Sequence, residues 1–73
     1  MRCRVVFSRP GNGTHFYFKD FRDSSNGLQP VGCWMLRSYR DKACIFETMQ
    51  DARKVCLYLI SIGCTAYPER LRP

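Results

Sequence analysis

The stretch Thr48 to Gly63, TMQDARKVCLYLISIG, constrains the fold most, because a start signal, a period and a stop signal agree in it. A threonine ahead of an apolar repeat can accept a hydrogen bond from the N–H of the third helical residue, and Asp51 stands where a capping-box acid reaches back. Ala52, Val55, Cys56 and Leu59 follow the i, i+3, i+4, i+7 rule, with Met49 and Ile62 extending the stripe. Gln50, Asp51, Arg53, Lys54 and Ser61 form the polar side, and Gly63 follows the last apolar turn, where a residue without Cβ can close a helix. The spacing therefore predicts one helix over about 49–62 with one face in a core. Leu57, Tyr58 and Ile60 widen the apolar arc and predict a contact on a second side.

The rest of the chain must cover that face. With 73 residues it forms one expected domain, and a chain of this size hides only about 60% of the surface its unfolded form exposes. Self-association is one way to add stability, so monomer and homodimer both stay open. A hydrophobic content of 45% is enough for a core and argues against disorder. No apolar run approaches the roughly 18 residues a membrane span needs, and MRCRVVFSRPGNG lacks a signal peptide's apolar region, so a cytoplasmic location is expected.

Arg2 to Ser8 reads as a strand, with Cys3, Val5 and Phe7 on one side and Arg2, Arg4, Val6 and Ser8 on the other. Arg9-Pro10-Gly11-Asn12-Gly13 predicts a turn into a second strand, Thr14 to Phe21. There His15, Tyr17, Lys19 and Phe21 alternate with Phe16, Phe18 and Asp20. If Phe16 and Phe18 point inward, His15, Tyr17 and Lys19 make an outward platform for stacking bases or anchoring a protein partner; the ordinary alternative is a strand buried on both sides, or a dimer edge. The run 22–30, RDSSNGLQP, reads as a mobile loop, and Val31 to Tyr39 as a third strand, with the single tryptophan, Trp34, expected in the core. Tyr39 to Lys42 is a polar turn, Ala43 to Phe46 a short apolar lead into the helix, and Cys64 to Tyr67 a brief strand or a segment lying along the sheet. Pro68 should end regular pairing and leave 68–73 as a frayed tail. The expected class is α+β, an antiparallel three- to four-stranded sheet with one C-terminal-half helix packed on one face.

Catalytic constellations are missing from this pattern. A lone His15 does not build a nucleophile triad, the carboxylates mostly stand beside Arg or Lys, and Gly11-Asn12-Gly13 lacks the Lys-Ser or Lys-Thr of a phosphate loop. Cys3, Cys33, Cys44, Cys56 and Cys64 are odd in number and contain no C-x-x-C pair, which points to packing thiols rather than to disulfides or a metal site. No enzyme activity, cofactor or metal is expected.

Charge is the remaining signal: twelve Lys and Arg against six Asp and Glu give +6, and nine of the twelve are arginine, suited to bidentate contact with phosphate or carboxylate. An acidic partner is implied. The candidate partner-binding residues are Tyr17, Lys19, Arg37, Tyr39, Arg40, Lys42, Arg53 and Lys54. Whether they form one patch or several is open in the sequence, and basic side chains on an ordinary solvated surface are the plain alternative.

The segment Asp41 to Leu59, DKACIFETMQDARKVCLYL, resembles the Ala-x-x-Phe-x-Thr, x-x-x-Ala, apolar-helix pattern of small phage and prophage accessory proteins. The pattern rests on Ala43, Phe46, Thr48 and Ala52. The resemblance implies a non-enzymatic inhibitor of host machinery, a class that includes anti-CRISPR proteins. Two functions follow as expectations: an inhibitor docked by arginine and aromatic anchors on a host protein or nucleoprotein complex with an acidic surface, or a module that binds DNA or RNA directly.

Overall fold

The computed structural model describes residues 2–72. Its elements are β1 (Cys3–Ser8), β2 (Phe16–Ser24), β3 (Gly27–Trp34), α1 (Arg37–Arg40), α2 (Met49–Ser61) and β4 (Thr65–Arg70). The strands form one antiparallel sheet in the order β3-β2-β1-β4, with the expected helix in the C-terminal half, so the α+β class holds.

Both ends of α2 close as the sequence implies. Thr48 Oγ1 accepts from the Asp51 N–H at 3.2 Å. At the other end Gly63 adopts φ 93°, Gly63 N bonds Ile60 O at 3.0 Å and Cys64 N bonds Leu59 O at 2.9 Å, the paired bonds of a Schellman closure. Ala52, Cys56 and Leu59 are buried against Cys3, Val5, Phe7 and Phe18, with Met49, Val55 and Ile62 packed around them. The second side does find a contact, though a narrow one: the Tyr58 ring meets Phe21 edge-on at 5.3 Å, and its hydroxyl donates to Leu28 O at 3.0 Å. Leu57 and Ile60 stay exposed.

Three stretches differ from expectation. The run 22–30 is not a loop: β2 continues to Ser24, a two-residue turn at Ser25 and Asn26 reverses the chain, and β3 begins at Gly27, whose φ of 97° suits glycine. Polar residues misled here because a hairpin arm projecting into solvent needs no apolar alternation. The third strand accordingly starts four residues early and stops at Trp34, and Arg37 to Arg40 form a helical turn instead of its end.

The tail is the third difference. Residues 65–70 pair with β1 throughout, Pro68 opposite Val5, and Leu71 N still bonds Arg2 O at 3.0 Å. Hydrogen bonds alternate in an antiparallel ladder, so the bond at Leu71 places Glu69 and Tyr67 toward β1 and Pro68 toward the open edge. A proline costs no ladder bond there, which is why pairing runs through it. Pro73, the end of the expected frayed tail, lies outside the described residues.

Trp34 is likewise not a core residue. It is 53% exposed and tilts against Phe16 at 5.2 Å, at the sheet edge beyond the reach of the helix. In β2 the pairing shifts between Phe18 and Asp20, and this bulge turns Phe21 onto the same face as Phe18, 4.8 Å away, where strict alternation would have opposed them.

The connector from α1 to α2 fixes where the basic residues go. β1 pairs with β2 at Val6–Tyr17 and Phe7–Phe16, and the strands then part. Into that gap runs the segment 43–46: Cys44 N bonds Phe18 O at 2.9 Å, and Cys3 and Phe46 exchange backbone bonds of 2.9 and 2.8 Å. Ala43 packs with Val6 and Tyr17 on one face, whereas Phe46 stacks on Phe18 at 6.0 Å on the other. The chain thus crosses the sheet, leaving α1 on one side and α2 on the other.

Candidate functional site

The face opposite α2 carries Arg4, Val6, Tyr17, Cys33 and Glu69, and α1 with its following turn lies beside them. Val6, Tyr17 and Ala43 form a small apolar cluster under this cover. Charged side chains surround it.

Tyr17 is placed differently from the sequence expectation. It is 8% exposed, the Arg4 guanidinium lies 5.4 Å from its ring centroid, and its hydroxyl donates to Glu69 Oε1 at 2.8 Å. Burial, and then the bond to Glu69, raise the Tyr17 hydroxyl above its ordinary pKa, with Arg4 and Arg40 pulling the other way. A ring covered in this way is a structural element, not a platform, and the expectation of Tyr17 as an outward anchor is corrected. Lys19, at the bulge, is exposed.

Arg37, Tyr39, Arg40 and Lys42 all lie exposed on α1 and the turn after it. Four bonds wind this segment: Leu36 O accepts from Tyr39 N and Arg40 N, Tyr39 O from Lys42 N, and Arg40 O from Ala43 N. The Lys42 ammonium stands 5.8 Å from the Tyr39 ring centroid. Lys19, Arg4 and Lys42 are near enough to Cys33 for their charges to favour its thiolate, yet burial outweighs them and holds that thiol above its usual pKa. Cys44, Cys56 and Cys64 are raised as well, each chiefly by burial. None of these four is an activated nucleophile.

Arg53 and Lys54 are exposed on α2, on the opposite side of the sheet. The basic candidates therefore divide in two. Arg40 lines one cleft with Arg4, and Lys19 and Lys42 lie with Arg4 around Cys33, while Arg37 is exposed on α1 and Arg53 and Lys54 stand on α2, across the sheet.

Beside Tyr17 opens a cleft of about 590 Å³ lined by Arg4, Tyr17, Arg40, Asp41, Glu69, Arg70, Leu71 and Arg72. The Arg4 side chain is 15% exposed, its Nε is buried with no hydrogen-bond partner, and its Nη2 lies 3.9 Å from Asp41 Oδ1. Sequence reading missed Asp41 and Glu69, taken as ordinary surface charge, and Arg70 and Arg72, assigned to a frayed end. The signal for Glu69 was the alternation Thr65, Tyr67, Glu69, which continues through the proline. Among the described residues no group of three or more His, Cys, Asp or Glu side chains is placed to hold a metal, and no helix is long and apolar enough to cross a membrane.

The chain matches no family model, no curated protein and no solved structure.

Proposed function

We propose that the protein is a small non-enzymatic binding protein that docks on an acidic surface of a host protein or nucleoprotein complex. Arg37, Tyr39, Arg40, Lys42 and Lys19 supply the contacts. What supports this reading is that Lys19, Arg40 and Lys42 are exposed on the face that α2 leaves uncovered, with Arg37, Tyr39, Met35 and Leu36 exposed on or just before α1. Arginine and aromatic anchors interleaved with apolar side chains are what protein interfaces use, and the charge selects an acidic counterpart. The resemblance of residues 41–59 to phage and prophage accessory proteins adds the role of inhibitor, of the kind that anti-CRISPR proteins play.

Direct nucleic-acid binding is the competing use of the same charges. Base recognition on single strands wants open aromatic planes. Here Arg4 lies over Tyr17 and Lys42 lies over Tyr39, which leaves Tyr67, 51% exposed opposite Val6, as a single open ring where strand binding stacks successive bases on several. That favours a protein surface.

The test is capture from a nuclease-treated host lysate, run in parallel for the native chain and for Arg37→Ala with Arg40→Ala. A partner retained by the native chain and lost by the double variant, at unchanged melting temperature, supports the docking surface. Equal capture by both chains removes α1 from the site. Tight, salt-sensitive retention of naked DNA or RNA in a gel shift overturns the protein reading in favour of nucleic acid.

A further inference from the structure

The cleft beside Tyr17 adjoins the exposed docking face and shares Arg40 with it, while Arg37 and Lys42 do not line it. Its lining holds four arginines, Arg4, Arg40, Arg70 and Arg72, against Asp41 and Glu69, a formal excess of two positive charges. Glu69 is engaged by the Tyr17 hydroxyl at 2.8 Å. Asp41 is not engaged in the same sense. Its side chain is 85% exposed, and its 3.9 Å separation from Arg4 Nη2 is an ion pair too long for a hydrogen bond.

Arg4 is therefore a largely buried cation with a loose counter-ion and an unpartnered Nε. Withdrawing a guanidinium from water is costly unless an anion is bonded to it. Arg4 and Arg40 both line this cleft beside Tyr17. Guanidinium forks match the oxygens of a tetrahedral phosphoryl group in pairs, and a dianion answers an excess of two charges where a phosphodiester, with one charge, does not.

We propose that this cleft binds a phosphomonoester dianion through Arg4 and Arg40, with Asp41 as the carboxylate that the ligand displaces. The ligand's chemistry is shared by a free phosphate ester and by the phosphorylated 5′ end of a nucleic-acid strand. The proposal does not rest on the docking function: Arg40 belongs to both, so the single variant Arg37→Ala separates them, weakening partner capture while leaving phosphomonoester binding unaltered.

Titration calorimetry with methyl phosphate at low salt is the decisive measurement on the full chain. Saturable one-to-one binding is expected, weakening about tenfold or more in Arg40→Ala as one charge-assisted contact is lost. Arg40 is exposed, so this variant keeps its fold. Asp41→Asn should bind more tightly than the native chain, because the competing carboxylate is gone. Binding should also fade below pH ~6, where the dianion takes up a proton and becomes a monoanion.

No saturable heat, equal affinity for dimethyl phosphate, or weaker binding by Asp41→Asn each overturns the proposal. A 5′-phosphorylated oligonucleotide that binds more tightly than both methyl phosphate and its 5′-hydroxyl counterpart assigns the site to strand ends. Affinity no higher than that of methyl phosphate assigns it to free esters. Equal binding of the phosphorylated and hydroxyl strands, with no binding of methyl phosphate, means that the face reads the phosphodiester backbone, and the cleft proposal fails.

Discussion

The two faces of the sheet are covered by different means. On one, a helix with both ends closed lays Ala52, Cys56 and Leu59 onto Cys3, Val5, Phe7 and Phe18, and the contact is apolar throughout. On the other, the cover is one helical turn and a connector; its apolar part is small, Val6, Tyr17 and Ala43, and the remainder is arginine, lysine and carboxylate around an open cleft. Hydrophobic burial holds the first face, so its residues are replaceable only by others of like volume. Charge and solvent access characterise the second. Apolar burial and open charge are thereby set on opposite sides of one thin sheet, and substitutions should separate them.

The sharpest break is Phe7→Ala. Phe7 is fully buried on the helix side, in contact with the rings of Phe16 and Phe18 at 6.0 and 6.5 Å, and its loss should cost about 3–5 kcal/mol in denaturant unfolding. A cost under about 1 kcal/mol would mean that this face is not the core.

Gly32→Ala probes the same face from the sheet itself. A Cβ there would lie 2.7 Å from Phe16 Cβ and 3.0 Å from Phe7 Cζ, so the bare backbone of β3 is what lets the Phe16 ring lie across it. The expected destabilisation is about 1–3 kcal/mol, with the near-ultraviolet circular dichroism of the aromatics altered. Unchanged stability would show that β2 and β3 can separate freely there.

Tyr17→Phe moves to the charged face and removes the bond to Glu69, at roughly 1 kcal/mol at neutral pH. The pH dependence gives a cleaner signature. Because folding raises the Tyr17 pKa, the native state favours the neutral phenol; that contribution is fully present below the unfolded value near 10 and is lost as pH climbs above it. The stability gap between native chain and variant should accordingly narrow above pH ~10. A gap constant through pH 11 would show that the phenol's proton contributes nothing.

The smallest effect on stability belongs to Arg37→Ala with Arg40→Ala, within about 0.5 kcal/mol, since both side chains are exposed. Partner capture, not melting, is where that variant should differ. A large loss of stability would place these arginines in the structural scaffold and blur the division between the faces.

The helix was legible residue by residue because its signals are local: a cap three residues from its acceptor, a stripe of period 3.6, a glycine one position past the end. The two faces of β1 were legible for the same reason, Cys3, Val5 and Phe7 against Arg4 and Val6. The basic candidates were legible by type but not by place. Arg53 and Lys54 are only eleven to twelve residues beyond Lys42, yet the crossing at 43–46 puts them behind the sheet.

Local pattern thus determined the class of fold, the helix with its buried stripe, and the excess of arginine. Tertiary structure alone decided that strands β1 and β2 part to let the chain through, that β4 pairs across Pro68, and that Arg4, Tyr17, Arg40 and Glu69 meet around one cleft. These residues come from four separate parts of the chain. A period of two or 3.6 says which way a side chain points from its own element, but which elements become neighbours depends on how the whole apolar surface closes on itself.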